Sequence, residues 1–145
     1  MKTLTGRSRY LGDIKSADIQ KRACAERQAV NTIIQGTASE IIKFAMIRVE
    51  EKLACLPWAP GARLLMQVHD ELIFEVEKSL DLHSFVTLVN DCMCDSVTLA
   101  FRMSVPLVVN FKVGNSLGQM KNYEQYRHST SILHGSNLGK SRSLD

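Results

Sequence analysis

The 145-residue chain is sparing with the residues that punctuate or cross-link a fold: 3 Pro, 8 Gly, 1 Trp and 4 Cys. With 45% apolar and 23% charged residues beside them, collagen-like, low-complexity and wholly disordered classes are excluded. Cys24, Cys55, Cys92 and Cys94 form no C-x-x-C pair. Cys92 and Cys94, two apart in a helix-like run, would point in different directions, so reduced, partly buried thiols are expected. No run approaches the ~20 apolar residues of a membrane span. Met1-Lys2-Thr3 also leads on without the apolar stretch of a secretory signal. No membrane partner and a place inside the cell are therefore expected. The length suits a single domain that buries roughly two-thirds of its unfolded surface.

What the chain does have is charge set out in blocks. Residues 1–35 hold seven Lys/Arg against three Asp/Glu, whereas residues 63–103 hold three against seven. A phosphate-binding surface beside a carboxylate site would look like this, and so would ordinary solvated faces. Residues 1–19 show no sustained period and read as loop, with a short hairpin around Arg7–Tyr10. Alanines at 23, 25 and 29 favour a helix from Ile19 to Asn31, ending in a break near Gln35-Gly36. Thr37-x-x-Glu40 has the form of a capping box opening a second helix, with apolar residues recurring from Ala38 to Leu53. A third helix follows Ser79 and Asp81, carried by Leu82, Phe85, Val86, Val89, Cys92, Met93, Val97 and Ala100. Between the second and third lie two strand-like runs, 63–68 and 71–76, and Val105–Val113 reads as a further strand with Pro106 near its edge. The expected class is α+β, with residues 1–126 as one domain and 127–145, rich in Ser, Gly and Lys/Arg, as a flexible tail.

Two places could carry chemistry. The runs at 63–68 and 71–76 are separated only by His69 and Asp70, the spacing of a tight hairpin, although neither residue is a favoured one at positive φ. A longer loop is the alternative. Asp70 and Glu71 would offer hard oxygen ligands to Mg²⁺ or Mn²⁺ there, or stand as solvated acids. His69 beside them suits a metal ligand, a proton-transfer group or a hydrogen-bond donor. Arg27, Asn31 and Gln35 recur at i, i+4 and i+8, a single helix stripe with ~6 Å of rise between members if the helix holds that far. Arg can meet a phosphate, and Asn and Gln can donate to minor-groove O2 and N3 acceptors shared by all base pairs. An exposed polar stripe has the same spacing. The Walker, zincin and nucleophile-elbow patterns are absent.

Glu26-Arg-Gln-Ala-Val-Asn-Thr-Ile-Ile-Gln-Gly-Thr-Ala-Ser-Glu-Ile-Ile-Lys43 and Gln67-Val-His-Asp-Glu-Leu-Ile-Phe-Glu-Val76 together resemble the C-terminal part of family A DNA polymerases. Gly6-Arg-Ser-Arg-Tyr-Leu-Gly-Asp-Ile14 is similar to the family's Gly-Arg-Arg-x-Tyr-Leu-Pro-x-Ile segment, and Val105–Gly118 to its final strand. The wording Glu-Arg-Gln-Ala-x-Asn-Thr-Ile is nearest the animal theta and nu type, which would imply the nucleus. The resemblance implies a right-hand polymerase fold, of which this chain would supply the end of the fingers and the second half of the palm. It implies template-directed nucleotidyl transfer in replication or repair, on primer–template DNA with deoxynucleoside triphosphates. It implies Asp70 and Glu71 as the catalytic, metal-binding acids, His69 near the primer terminus, and Arg27, Asn31 and Gln35 as DNA contacts.

Several family features have no counterpart. The family holds two Mg²⁺ ions with a second aspartate from an earlier palm motif, and its fingers helix and thumb grip nucleotide and duplex. None of these occurs in the 145 residues, Gly12 stands where Pro is usual, and Leu117 stands where Trp is common. A catalytically inactive DNA-binding or assembly fragment therefore stands as the alternative, with a metal-dependent hydrolase behind it.

Overall fold

A computed structural model describes residues 1–57 and 61–127. The expected tail from 127 onward thus lies almost wholly outside the described residues. The chain divides into two units, Met1–Leu107 and one beginning at Val108.

The first unit is built on one helix, α1, Ile19–Ala54. Its N-cap is Asp18, whose carboxylate accepts from the amides of Gln20 and Lys21 at 2.8 and 3.3 Å, satisfying two of the amides that a helix start leaves unpaired. The break expected at Gln35-Gly36 does not occur. Helix propensity disfavours Gly by about 1 kcal/mol, but a tertiary contact requires it: a Cβ on Gly36 would lie 2.7 Å from Thr3 Cγ2. The N-terminal segment crosses the helix there, folded on itself by an antiparallel bridge between Lys2 and Ser8 and a turn in which Gly6 takes φ +91°. The turn thus precedes the Arg7–Tyr10 position expected for it. Thr37 and Glu40, read as a capping box, sit inside α1 and serve that segment instead. Thr37 Oγ1 accepts from the Leu4 amide at 3.2 Å, and Glu40 Oε1 from Thr3 Oγ1 at 2.6 Å.

The C-terminal half of α1 supplies Ala45, Val49 and Leu53 to the core. They meet α2 (Leu82–Asn90), a π-helical turn (Asp91–Asp95) and α3 (Ser96–Phe101), the third helix of the sequence pattern with one residue too many in its middle. Phe85, Val86, Val89, Cys92, Cys94 and Val97 are its buried residues. Phe44 and Phe101 stack edge to face at 5.5 Å. Each fully buried apolar side chain contributes about 1.5–3 kcal/mol. Burial raises the Cys92 thiol above its ordinary pKa, with Asp91 adding to the effect, so this cysteine is a core residue rather than a nucleophile. Cys24 and Cys55 are exposed, and all four thiols are free.

Strands β1 (Ala62–Val68) and β2 (Glu71–Val76) form the antiparallel hairpin, with the amide of Glu77 closing its base on the Gly61 carbonyl at 2.7 Å. The register pairs Leu64 with Phe74 but Met66 with Ile73, leaving Leu65 as the extra residue of a bulge. Leu72, Phe74 and Val76 line one face, and Phe74 meets Phe85 of α2 edge to face at 5.4 Å. Glu71, Ile73 and Glu75 line the other, where Glu75 pairs with Arg63 across the strands.

In the second unit, β3 (Lys112–Val113) pairs antiparallel with β4 (Lys121–Asn122). The strand expected over Val105–Val113 is thus two residues long among the described residues. Pro106 has no amide to give a ladder, and only two residues of β4 face β3. Gly114 permits the tight return, since a Cβ there would fall 2.5 Å from the Gln119 carbonyl oxygen. Tyr123 is buried, and its amide donates to the Phe111 carbonyl at 2.9 Å. Leu117, in a short 3-10 turn, is exposed.

Candidate functional site

The hairpin apex is the tight two-residue turn of the sequence expectation. Val68 pairs with Glu71, and His69 and Asp70 make the turn between them. His69 takes φ +54°, a conformation that costs a non-glycine residue roughly 1–2 kcal/mol. The Gln67 side-chain amide donates to the His69 carbonyl and braces the turn. His69, Asp70 and Glu71 are all exposed. Neither carboxylate is engaged by a hydrogen bond or ion pair from a described residue, so both are free for an external cation. They are hard oxygen donors on a braced support, which suits Mg²⁺ or Mn²⁺. They do not make a complete cage: among the described residues no group of three or more His, Cys, Asp and Glu is placed to hold a metal.

Because α1 runs unbroken through Gly36, Arg27, Asn31 and Gln35 do lie on one stripe of one helix. All three are exposed. The neighbouring stripe, Ala25, Ala29 and Thr32, is buried, which holds the donor stripe at the rim of the N-terminal segment. Asn31 and Gln35 form one wall of a pocket of about 160 Å³ whose other walls are Thr3, Arg7, Ser8, Arg9, Thr32 and Gly36. Arg27 lies outside it. No hydrogen bond or ion pair among the described residues joins this stripe to the hairpin apex.

The pocket brings in residues that periodicity did not single out. Arg7 Nε donates to Glu40 Oε1 at 3.1 Å, and Arg9 Nη1 donates to Thr32 Oγ1 at 3.3 Å. Thr32 Oγ1 in turn donates to the Gln28 carbonyl at 2.7 Å. The alternation Arg7-Ser8-Arg9 was visible in the sequence, but nothing local indicated that it folds back onto α1.

Glu40 anchors the arrangement. The Thr3 hydroxyl, aided by Thr5 and Arg7 and opposed by burial, lowers its carboxyl pKa from 4.5 to about 2. A depressed carboxyl contributes stability that is complete above about pH 4.5 and is lost as pH falls toward about 2. Thr3→Val, nearly the same shape without the hydroxyl, should raise the Glu40 pKa toward its ordinary value and release the N-terminal segment at a higher pH. A carbon-13 titration of the Glu40 carboxyl, with amide exchange at Arg7, checks this. An unchanged titration would show that Thr3 is not the cause.

The model of DNA polymerase family A matches residues 1–119. DNA polymerase I of Bacillus caldotenax is 45% identical over 114 residues, 79% of this chain and 12% of that protein. DNA polymerase I of Treponema pallidum is 40% identical over 116 residues, 80% of this chain and 11% of that protein. Among solved structures, the polymerase domain of Pol1 from M. smegmatis, in complex with DNA primer–template and dNTP, superposes with a TM-score of 0.62 at 41% identity. That likeness covers 74% of this chain and 18% of the other. The chain therefore spans about an eighth or less of the curated relatives it matches.

Proposed function

The chain belongs to DNA polymerase family A, and from that membership we propose that it serves DNA-directed DNA polymerisation, supplying the metal-holding hairpin and a duplex-facing helix. The observation that carries this is the His69-Asp70 turn: two unengaged carboxylates at the apex of a hairpin held in a locally unfavourable conformation. Strain that the surroundings maintain, at residues able to do chemistry, is a mark of function. The solved relative that the chain resembles was captured with primer–template and dNTP, which supports the same partners here.

In this function Asp70 and Glu71 hold Mg²⁺, two ions in a complete site, or Mn²⁺, together with oxygen ligands that the described residues do not supply. When bound, such ions neutralise phosphate charge and lower the pKa of the attacking primer hydroxyl. Asp70 and Glu71 fix the position at which that happens, because the hairpin register leaves them no freedom to slide. His69 presents its ring beside the primer terminus. Arg27, Asn31 and Gln35 donate to the phosphate and minor-groove acceptors of the newly paired bases, which hold the duplex without reading its sequence. Work in replication or repair, and a nuclear location on the theta or nu pattern, belong to the same proposal and rest on the Glu26–Lys43 wording.

The test is a chimera in which residues 1–119 replace the matching segment of the Bacillus caldotenax enzyme. Template-dependent primer extension is expected. A folded chimera that binds duplex but extends nothing would favour the non-catalytic module, and one that does neither would remove the polymerase function.

A further inference from the structure

We infer that the pocket between the N-terminal segment and α1 binds one backbone phosphate of the duplex, with Arg9 as its charged contact. This rests on the polymerase function above and adds to it a contact outside the Arg27, Asn31 and Gln35 stripe. Every polar side chain on the pocket wall can donate: the Thr3, Ser8 and Thr32 hydroxyls, the Asn31 and Gln35 amides, and the Arg7 and Arg9 guanidiniums. No carboxylate lines it. The nearest acid, Glu40, takes its hydrogen bonds from Thr3 and Arg7, so Arg7 is already balanced. Arg9 has no carboxylate partner among the described residues, and its one hydrogen bond goes to a hydroxyl. One positive charge is therefore left uncompensated among neutral donors. By contrast, the groove beside it, lined by Tyr10, Asp13, Lys21 and Gln28, carries both signs.

The site is built rather than incidental. The Arg9 backbone is held by an amide bond to the Met1 carbonyl at 2.8 Å, and its side chain is aimed by Thr32, whose own proton is committed to the Gln28 carbonyl. Gly36 keeps the floor open, because a Cβ there would crowd Thr3 and come within 3.3 Å of Arg7 Nη2. About 160 Å³ holds roughly five waters, enough for a phosphate group with part of its hydration. A single uncompensated charge at a surface is too weak, at ~0.1 M salt, to capture a free anion. The phosphate must be delivered by a strand that other residues hold, and Asn31 and Gln35, on the wall of the same pocket, are the residues proposed to face that strand's bases.

The experiment measures binding of a fluorescein-labelled primer–template to the full 145-residue chain by anisotropy, across a range of salt. Arg9→Gln should weaken binding about tenfold at ~0.1 M salt and reduce the slope of log affinity against log salt by about 0.9. Arg9→Lys should keep the slope. Replacing single phosphates by neutral methylphosphonates should reveal one position that weakens the original chain but not Arg9→Gln, the coupling expected of a direct contact. Melting temperatures of both variants should match the parent, which a merely structural Arg9 would not allow. Unchanged affinity and slope in Arg9→Gln, or no phosphate coupled to Arg9, would overturn the site while leaving the polymerase function standing. If the parent binds no duplex, the polymerase function fails and the site with it. Inorganic phosphate alone, read on the Arg9 Nε resonance, separates the sources: saturation in the millimolar range without a coupled phosphate would make this a free-anion site and overturn the duplex assignment.

Discussion

Asp70→Asn in the extension-competent chimera should abolish primer extension, by about three orders of magnitude or more, and leave duplex affinity intact. The size follows from what is removed: a carboxylate that positions metal charge where charge develops in the transition state, a class of interaction among the largest single contributions to catalysis. Asn keeps the side chain's shape and is at home in turns. Asp70 makes no hydrogen bond or ion pair with a described residue, so nothing in the fold depends on its charge. Duplex affinity should hold because it comes from cations meeting phosphates, and taking a negative charge from the surface does not weaken that attraction. Single-turnover extension and equilibrium binding on one preparation separate the two quantities. Retained extension, or affinity falling in step with activity, would argue against metal holding.

The second large effect is a complete one. The 145-residue chain alone, given primer–template, four nucleotides and Mg²⁺, is expected to extend nothing. Phosphoryl transfer is catalysed almost entirely by positioning and charge stabilisation. Asp70 and Glu71 are two neighbouring carboxylates without a third ligand among the described residues. Template-dependent extension by the pure chain would mean that a full site assembles from these residues, by dimerisation or otherwise. Binding of duplex without extension is the expected pattern.

How much of this was legible in the sequence depended on the range of the interaction. The hairpin was readable to within one residue, 63–68 and 71–76 against Ala62–Val68 and Glu71–Val76, because alternating branched residues and a two-residue gap are local signals. Asp81 was one of two candidate caps for the third helix, and it is the residue that accepts from the His83 and Ser84 amides. The family likeness read from Glu26–Lys43 and Gln67–Val76 agrees with the family match over residues 1–119. Gly36 was misread because Gly normally ends helices, while the contact that explains it comes from Thr3, 33 residues earlier in the chain. Thr37 and Glu40 misled for the same reason: a capping pair and a loop-binding pair look alike until the loop is placed. The π-helical turn at Asp91–Asp95 leaves no trace in a 3.6-residue pattern. The shortening of the last strand reflects what its neighbour offers, which no local propensity encodes.

The unbroken course of α1 has a mechanical consequence. Val49, fully buried, is the point at which the helix is clamped, and Arg27 stands 22 residues away on the same rod, about 33 Å at ~1.5 Å per residue. A pivot of about 10° at the clamp would sweep Arg27 through about 6 Å, nearly two base-pair steps at ~3.4 Å each, while a residue next to the clamp hardly moves. The helix is thus a lever whose fulcrum lies in the hydrophobic core and whose working end carries the donors. Alignment of those donors with a bound duplex is set by packing that never touches it.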